Sequence, residues 1–230
     1  MKKRLAFAKK MSREYVRSVW TNEVCFYLDG TSFEFKTNPL SQARAPKGRV
    51  WRKKSEALLL GCTAKGRKEG TGGKTVKLMV AISYNVGVVV CEPYQTLNGE
   101  YFASFIDNYF SSMLEKANKG ESRLWIQDGD PSQNSAKAQQ AMKRANVNLF
   151  KIPARSPDLN PIENIFHLVK AKLSKDAIAK NIQKETYKHF QERVIATIKS
   201  IPLDTINNII KSMPKRIDSV IRNRGNRLKY

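Results

Sequence analysis

Three acids in this chain stand where chemistry could use them. Asp29 ends an apolar run in EVCFYLDG (residues 23–30), Asp128 ends another in RLWIQD, and Glu163 lies just past a proline in SPDLNPIEN (156–164). Ligand sites in α/β sheets form at the carboxyl ends of strands. If the first two strands are neighbours, Asp29 and Asp128 emerge at the same edge, and a helix docking there brings Glu163 to them. Three carboxylates so close repel one another unless a cation neutralises them, so the cluster makes sense as a site for Mg²⁺ or Mn²⁺. Two such ions ~3.5–4 Å apart can activate a water or a 3′-hydroxyl and stabilise the departing oxygen of a phosphodiester.

Each acid also has a plainer explanation. Asp29-Gly30 is ordinary hairpin-turn chemistry, and Asp128-Gly129-Asp130-Pro131 is good turn chemistry too. Asn160-Pro161-Ile162-Glu163 reads as N-cap, N1, N2 and N3 of a helix, which would make Glu163 the far half of a capping box. Taken singly, the plain explanations win; taken together on a strongly basic chain, they do not.

The elements that must position these acids follow from pattern. Residues 1–20 carry seven Lys or Arg among spaced apolar residues and read as a basic helical lead-in. EVCFYLDG and the alternating SFEFK predict strand, tight turn and strand, a hairpin centred on Asp29-Gly30. Residues 36–75 hold Pro39, Pro46 and much of the basic excess, and form a long exposed basic segment. KLMVAISYNVGVVVCEPY (77–94) gives two strands around an Asn85–Gly87 turn. The stretch from Asn98 to Gly120 is a capped helix with apolar pairs one turn apart. RLWIQ is a strand, SAKAQQAMKRA a helix and VNLFKI a strand. From Pro161 the chain is helical almost to its end, with interruptions near Pro202 and Pro214. The order predicts an α/β fold with a mixed central sheet flanked by helices.

Charge bounds the partner. Forty-two Lys and Arg against twenty Asp and Glu leave +22 on 230 residues, and 41% apolar content suffices for a full core. Such an excess points to a polyanion, with nucleic acid foremost. No apolar run approaches the ~20 residues of a spanning helix, so a membrane is not expected as partner, and MKKRLAFAKK does not develop into a secretory signal. Cys25, Cys62 and Cys91 are odd in number and widely spaced, as reduced thiols of a nuclear or cytosolic protein are. With no CxxC pair and only His167 and His189, zinc is not expected. EGTGGKT (69–75) fails the P-loop pattern because Lys68 stands where that pattern needs Gly. His167, one turn beyond Glu163, reads as a surface histidine, and Trp51 and Trp125 as core or loop anchors.

SPDLNPIEN, preceded by the strand-like LFKIPAR, resembles the signature around the last acid of mariner-superfamily transposases, in their DDE catalytic domain. The 34 residues between Asp128 and Glu163 match the nematode-type branch. IQDGDPSQNS and YLDGTSFEF resemble that branch's second-acid and first-acid stretches, and the resemblance covers nearly the whole chain. It implies a ribonuclease-H-like fold that cuts DNA strands and joins them by phosphoryl transfer, with Asp29, Asp128 and Glu163 as catalytic residues and ligands of two Mg²⁺ or Mn²⁺ ions. It implies double-stranded DNA as partner, both transposon ends and target, and a nuclear location; a homodimer is left open. The basic insertion sits where the family has a glycine-rich loop, and Lys47, Arg49, Arg52, Lys53, Lys54, Arg67 and Lys74 are its expected DNA contacts. The expected organisation is a lead-in over 1–20 and a catalytic domain over 21–230, without the helix-turn-helix modules that precede this region in the family. Gly30, Gly129 and Gln133 depart from the family's usual Glu, Asn and His. The alternatives are a remnant that binds DNA without catalysis and a stand-alone ribonuclease-H-type nuclease.

Overall fold

The computed structural model of the chain describes residues 1–45, 73–128 and 130–228. Five strands form one sheet: β1 (Val24–Glu34), β2 (Thr75–Ser83), β3 (Gly87–Pro93), β4 (Leu124–Gln127) and β5 (Asn148–Lys151), in the order β3-β2-β1-β4-β5. The first three are antiparallel neighbours, while β4 lies parallel to β1 and β5 parallel to β4. A mixed sheet was expected, and its two halves have different causes. The short Asn85–Gly87 connection, with Asn85 at φ 64° and Gly87 at φ 92°, permits antiparallel pairing of β2 and β3. The α4 (Gly99–Ala117) and α5 (Ala136–Arg144) segments are the crossovers that parallel strands need.

One expectation fails. Asp29-Gly30 is not a hairpin turn: β1 runs unbroken for 11 residues, and its ladder with β2 passes straight through Asp29↔Val80 and Gly30↔Met79. The antiparallel partner of this strand is β2, reached only after the long connection. The shift from a continuous apolar run to alternation marks where one strand leaves two-sided burial for one-sided burial, and this was read as a strand break.

Strand alternation sorts the core into two layers. On one face Phe26, Leu28, Met79, Ala81 and Trp125 pack against α4 and α5 through Phe102, Phe105, Ile106, Phe110, Ala138 and Ala141. Trp125 is wholly buried there, edge-on to Phe110 with centroids 5.4 Å apart. On the other face Val24, Tyr27, Val76, Leu78, Val80, Leu124 and Ile126 meet the helical layer. That layer comprises α1 (Lys2–Glu14), α2 (Val19–Asn22), α6 (Ile162–Ala179), α7 (Tyr187–Lys199), α8 (Leu203–Lys211) and α9 (Met213–Arg222), with α3 (Pro39–Arg44) against α6. The C-terminal helices are interrupted near Pro202 as expected. The expected break near Pro214 is also present, at Ser212 between α8 and α9, and Pro214 sits in the first turn of α9, where its missing N–H costs nothing; a further break at 180–186 turns on Asn181 at φ 51°. Among the described residues, no helix is long and apolar enough to cross a membrane.

Candidate active site

Strand parity puts both aspartates on one side of the sheet. In β1, Tyr27 belongs to the α6 layer, so Asp29, two residues on, faces that layer; in β4 the same holds for Leu124, Ile126 and then Asp128. The parallel register Tyr27↔Ile126 brings Asp29 level with Asp128. β4 ends at Gln127 while β1 continues, so Asp128 emerges at a strand end and Asp29 sits mid-strand, held on its outer side by β2. Glu163 lies in the first turn of α6, the helix packed over β1.

The electrostatics bear the mark of this convergence. Asp29 is held well above its ordinary 3.8, first by burial, then by the charges of Asp128, Glu163 and Asp130, against a 2.8 Å hydrogen bond from the Gly30 N–H. Burial also raises Asp128. Glu163 is raised by burial and by Asp128, partly offset by Lys170 and His167.

The turn chemistry anticipated at Asp128 also exists: Oδ1 accepts from the Asp130 N–H at 3.2 Å, and Asp130 in turn accepts from the Ser132 N–H at 2.8 Å. The turn and the site share one residue. The capping box does not form. Asn160 has extended backbone, α6 has no side-chain cap, and the Asn160 amide reaches across to donate to Asp29 Oδ2 at 3.0 Å. Its pairing with Asp29 was not legible, because the same Asn-Pro-x-Glu pattern reads equally well as a cap. Lys170, seven residues after Glu163 on the same face of α6, was also missed; it stands 5.7 Å over the Phe33 ring. His167 is exposed, as expected.

The segment before α6 is anchored. Asp158, in the 3₁₀ turn Pro157–Leu159, accepts both guanidinium N–H arms of Arg4 at 2.7 and 2.5 Å and the Leu228 N–H at 2.9 Å, while Arg216 donates to its carbonyl at 3.1 Å. Both ends of the described chain therefore hold the loop that carries Asn160 and leads to Glu163.

Two of the departures acquire a location. Gly30 faces away from the acids, and a Cβ there would come within 3.0 Å of Tyr94 Oη, so the chain has filled the space that a longer side chain would need. Gln133 is 1% exposed in the turn Ser132–Asn134, and neither atom of its amide finds a partner among the described residues. Gly129 lies outside the described residues, as do Lys47, Arg49, Arg52, Lys53, Lys54, Arg67 and Trp51. Lys74 is described: it is exposed at the foot of β2, with Nζ 5.9 Å over the Tyr187 ring.

Among the described residues, no three side chains of the His, Cys, Asp and Glu types stand close enough to hold a metal ion between them. Mg²⁺ does not require that. It keeps several waters and takes one or two carboxylates together with substrate phosphates. Carboxylates buried on one side of the sheet, at a strand end and in a helix's first turn, are oxygen donors of the kind such a cation takes, and Asp29, Asp128 and Glu163 are the residues that would hold it.

The family described as DDE superfamily endonuclease matches residues 24–184. The chain is 25% identical over 222 residues to the transposase of transposable element Tcb1 from Caenorhabditis briggsae, covering 95% of this chain and 72% of the relative. The catalytic domain of Mos1 mariner transposase superposes with a TM-score of 0.69 at 15% identity, covering 99% of this chain and 94% of that domain. The Mos1 paired-end complex with Mn superposes with a TM-score of 0.71 at 17% identity, covering 98% of this chain and 62% of the other. The ribonuclease-H-like fold and the likeness to mariner-superfamily transposases, expected from the motif at 156–164, are both borne out.

Proposed function

The chain belongs to the DDE superfamily endonuclease family, and from that premise we propose that it is a transposase catalytic domain that cuts DNA strands and joins them by divalent-cation-dependent phosphoryl transfer. One observation carries the reading: Asp29 in β1 and Asp128 at the end of the parallel strand β4 stand level, facing the helix whose first turn holds Glu163.

In this reading Asp29, Asp128 and Glu163 are the ligand carboxylates. Bound Mg²⁺ or Mn²⁺ supplies Lewis-acid activation of the attacking hydroxyl and neutralises charge on the departing oxygen. The chain's own part is to hold the carboxylates in place and to bring the strand to them. Rigid placement comes from β1 and β4 for the aspartates and from the anchored turn before α6 for Glu163. Lys170, on the Glu163 face of α6, offers positive charge to a phosphate beside the acids. Lys47, Arg49, Arg52, Lys53, Lys54, Arg67 and Lys74 are proposed to hold the duplex through phosphates, without reading sequence. The Mos1 structure with paired ends supports transposon-end DNA as the substrate class, and the nucleus is the compartment in which such a substrate would be met.

The test is strand transfer from a pre-cut DNA end into plasmid, with Mg²⁺ or Mn²⁺ and with EDTA. Joining that needs the cation is the expected result; no joining under any cation would sink the proposal. Gln133 favours a second reading, a remnant that binds DNA without chemistry, since a buried amide with no partner among the described residues stands where the family often has His. The same experiment separates the two, because the remnant retains DNA binding and joins nothing.

A further inference from the structure

Asn160 reads from sequence as a helix cap, yet the structure gives its side chain a different task. It is 1% exposed, and its Nδ2 donates to Asp29 Oδ2 at 3.0 Å across 131 positions of chain. The other oxygen, Oδ1, accepts the Gly30 N–H at 2.8 Å. Each oxygen of Asp29 therefore has one fixed donor, and together they set the plane of the carboxylate. Asn160 satisfies only the end that meets Asp29; its Oδ1 is buried with no partner among the described residues. Against an ionised carboxylate, the form that a cation binds, only the N–H end of the amide can serve, since such a carboxylate only accepts. It is also delivered from a rigid place: Asp158, two residues earlier, is locked by Arg4, and Pro161, next in the chain, sits at φ −63°.

We propose that Asn160 is a positioning residue for Asp29, fixing that carboxylate, in its ionised form, for a divalent cation. This rests on the cation-holding reading of the site given above. Groups that orient a metal's ligands through hydrogen bonds are worth about 10–100-fold in metal affinity or activity, and that is the expected size here.

Mn²⁺ binding to the folded chain, measured by calorimetric titration at fixed pH and salt, separates positioning from capping. Asn160→Ala and Asn160→Ser should each weaken Mn²⁺ binding by about 10–100-fold. Serine is the telling variant: it is as good an N-cap as asparagine, but its hydroxyl is too short to reach Asp29. It also carries the test if the alanine variant does not fold, as judged by thermal unfolding in EDTA. In an Asp29→Asn background, Asn160→Ala should add less than about a twofold further loss, because the effect acts through Asp29. Wild-type affinity in Asn160→Ser, or an undiminished loss in the Asp29→Asn background, overturns the proposal. If Asp29→Asn itself binds Mn²⁺ like the wild type, the cation-holding reading falls and this inference falls with it. If only the Asn160 variants are unaffected, the inference falls alone.

Discussion

Asp29 is the residue whose environment is least comfortable without a cation. Burial and three neighbouring carboxylates raise it above its ordinary 3.8, so the folded chain binds its proton more tightly than the unfolded chain does. Stability from this source is complete below pH 3.8 and is lost as pH rises through the raised folded value. Near pH 7, in EDTA, the wild type therefore carries a penalty that Asp29→Asn escapes. The variant should melt higher by about 2–4 °C, which corresponds to about 1 kcal/mol for a chain of this size. At pH 4 the two should melt together. Paired thermal scans across that range check the sign, and a variant less stable than the wild type near pH 7 would contradict it. Added Mn²⁺ should raise the wild-type melting temperature near pH 7 and do little for the variant.

The turn before α6 is the element on which the site's geometry depends most. Asp158 and Arg4 are almost fully buried, at 6% and 8% side-chain exposure, and their partners include the backbone of residues 225, 226 and 228. Removing one partner of such a pair leaves a buried charge uncompensated, so Asp158→Ala should cost about 3–5 kcal/mol in chemical unfolding. An effect below about 1 kcal/mol would mean that the two chain ends are not held through this residue. Little of this was legible beforehand. Local patterns gave α4, with Asn98 accepting the Tyr101 N–H as its cap, as well as β4, α5 and the β2–β3 turn. The positions of Asp128 and Glu163, one at the end of β4 and one in the first turn of α6, were legible because each closes or opens an element. What local patterns could not give was any assignment whose cause lies far away in sequence. Asp29-Gly30 looked like a turn because nothing nearby announces that β2 will pair through it. Asn160 looked like a cap because its actual partner is 131 positions away. The break at 180–186 contains neither Gly nor Pro; its signals were only Asn181 in a left-handed conformation and Thr186, which caps α7 by accepting the His189 N–H.

At the scale of the whole molecule, a net charge of +22 means that the proposed DNA binding should be dominated by release of counterions and fall steeply with salt. Neutralising Arg52, Lys53 and Lys54 together should flatten the log–log salt slope by up to ~3 units, at ~0.9 per phosphate contact. An unchanged slope would route the DNA elsewhere, with the Lys170 face of α6 as the next surface to neutralise. Binding by itself, however, does not separate a transposase domain from a basic remnant; chemistry at the acids does. The most direct test is strand transfer of a pre-cut end in Mn²⁺ by the wild type, Asp29→Asn, Asp128→Asn and Glu163→Gln, with DNA affinity measured alongside. The account predicts that the wild type joins and that each variant loses about a hundredfold or more in rate, in keeping with the several kcal/mol that a metal contributes to the transition state, while DNA affinity stays level. Wild-type turnover in any one of the three would remove that acid from the site and contradict the account.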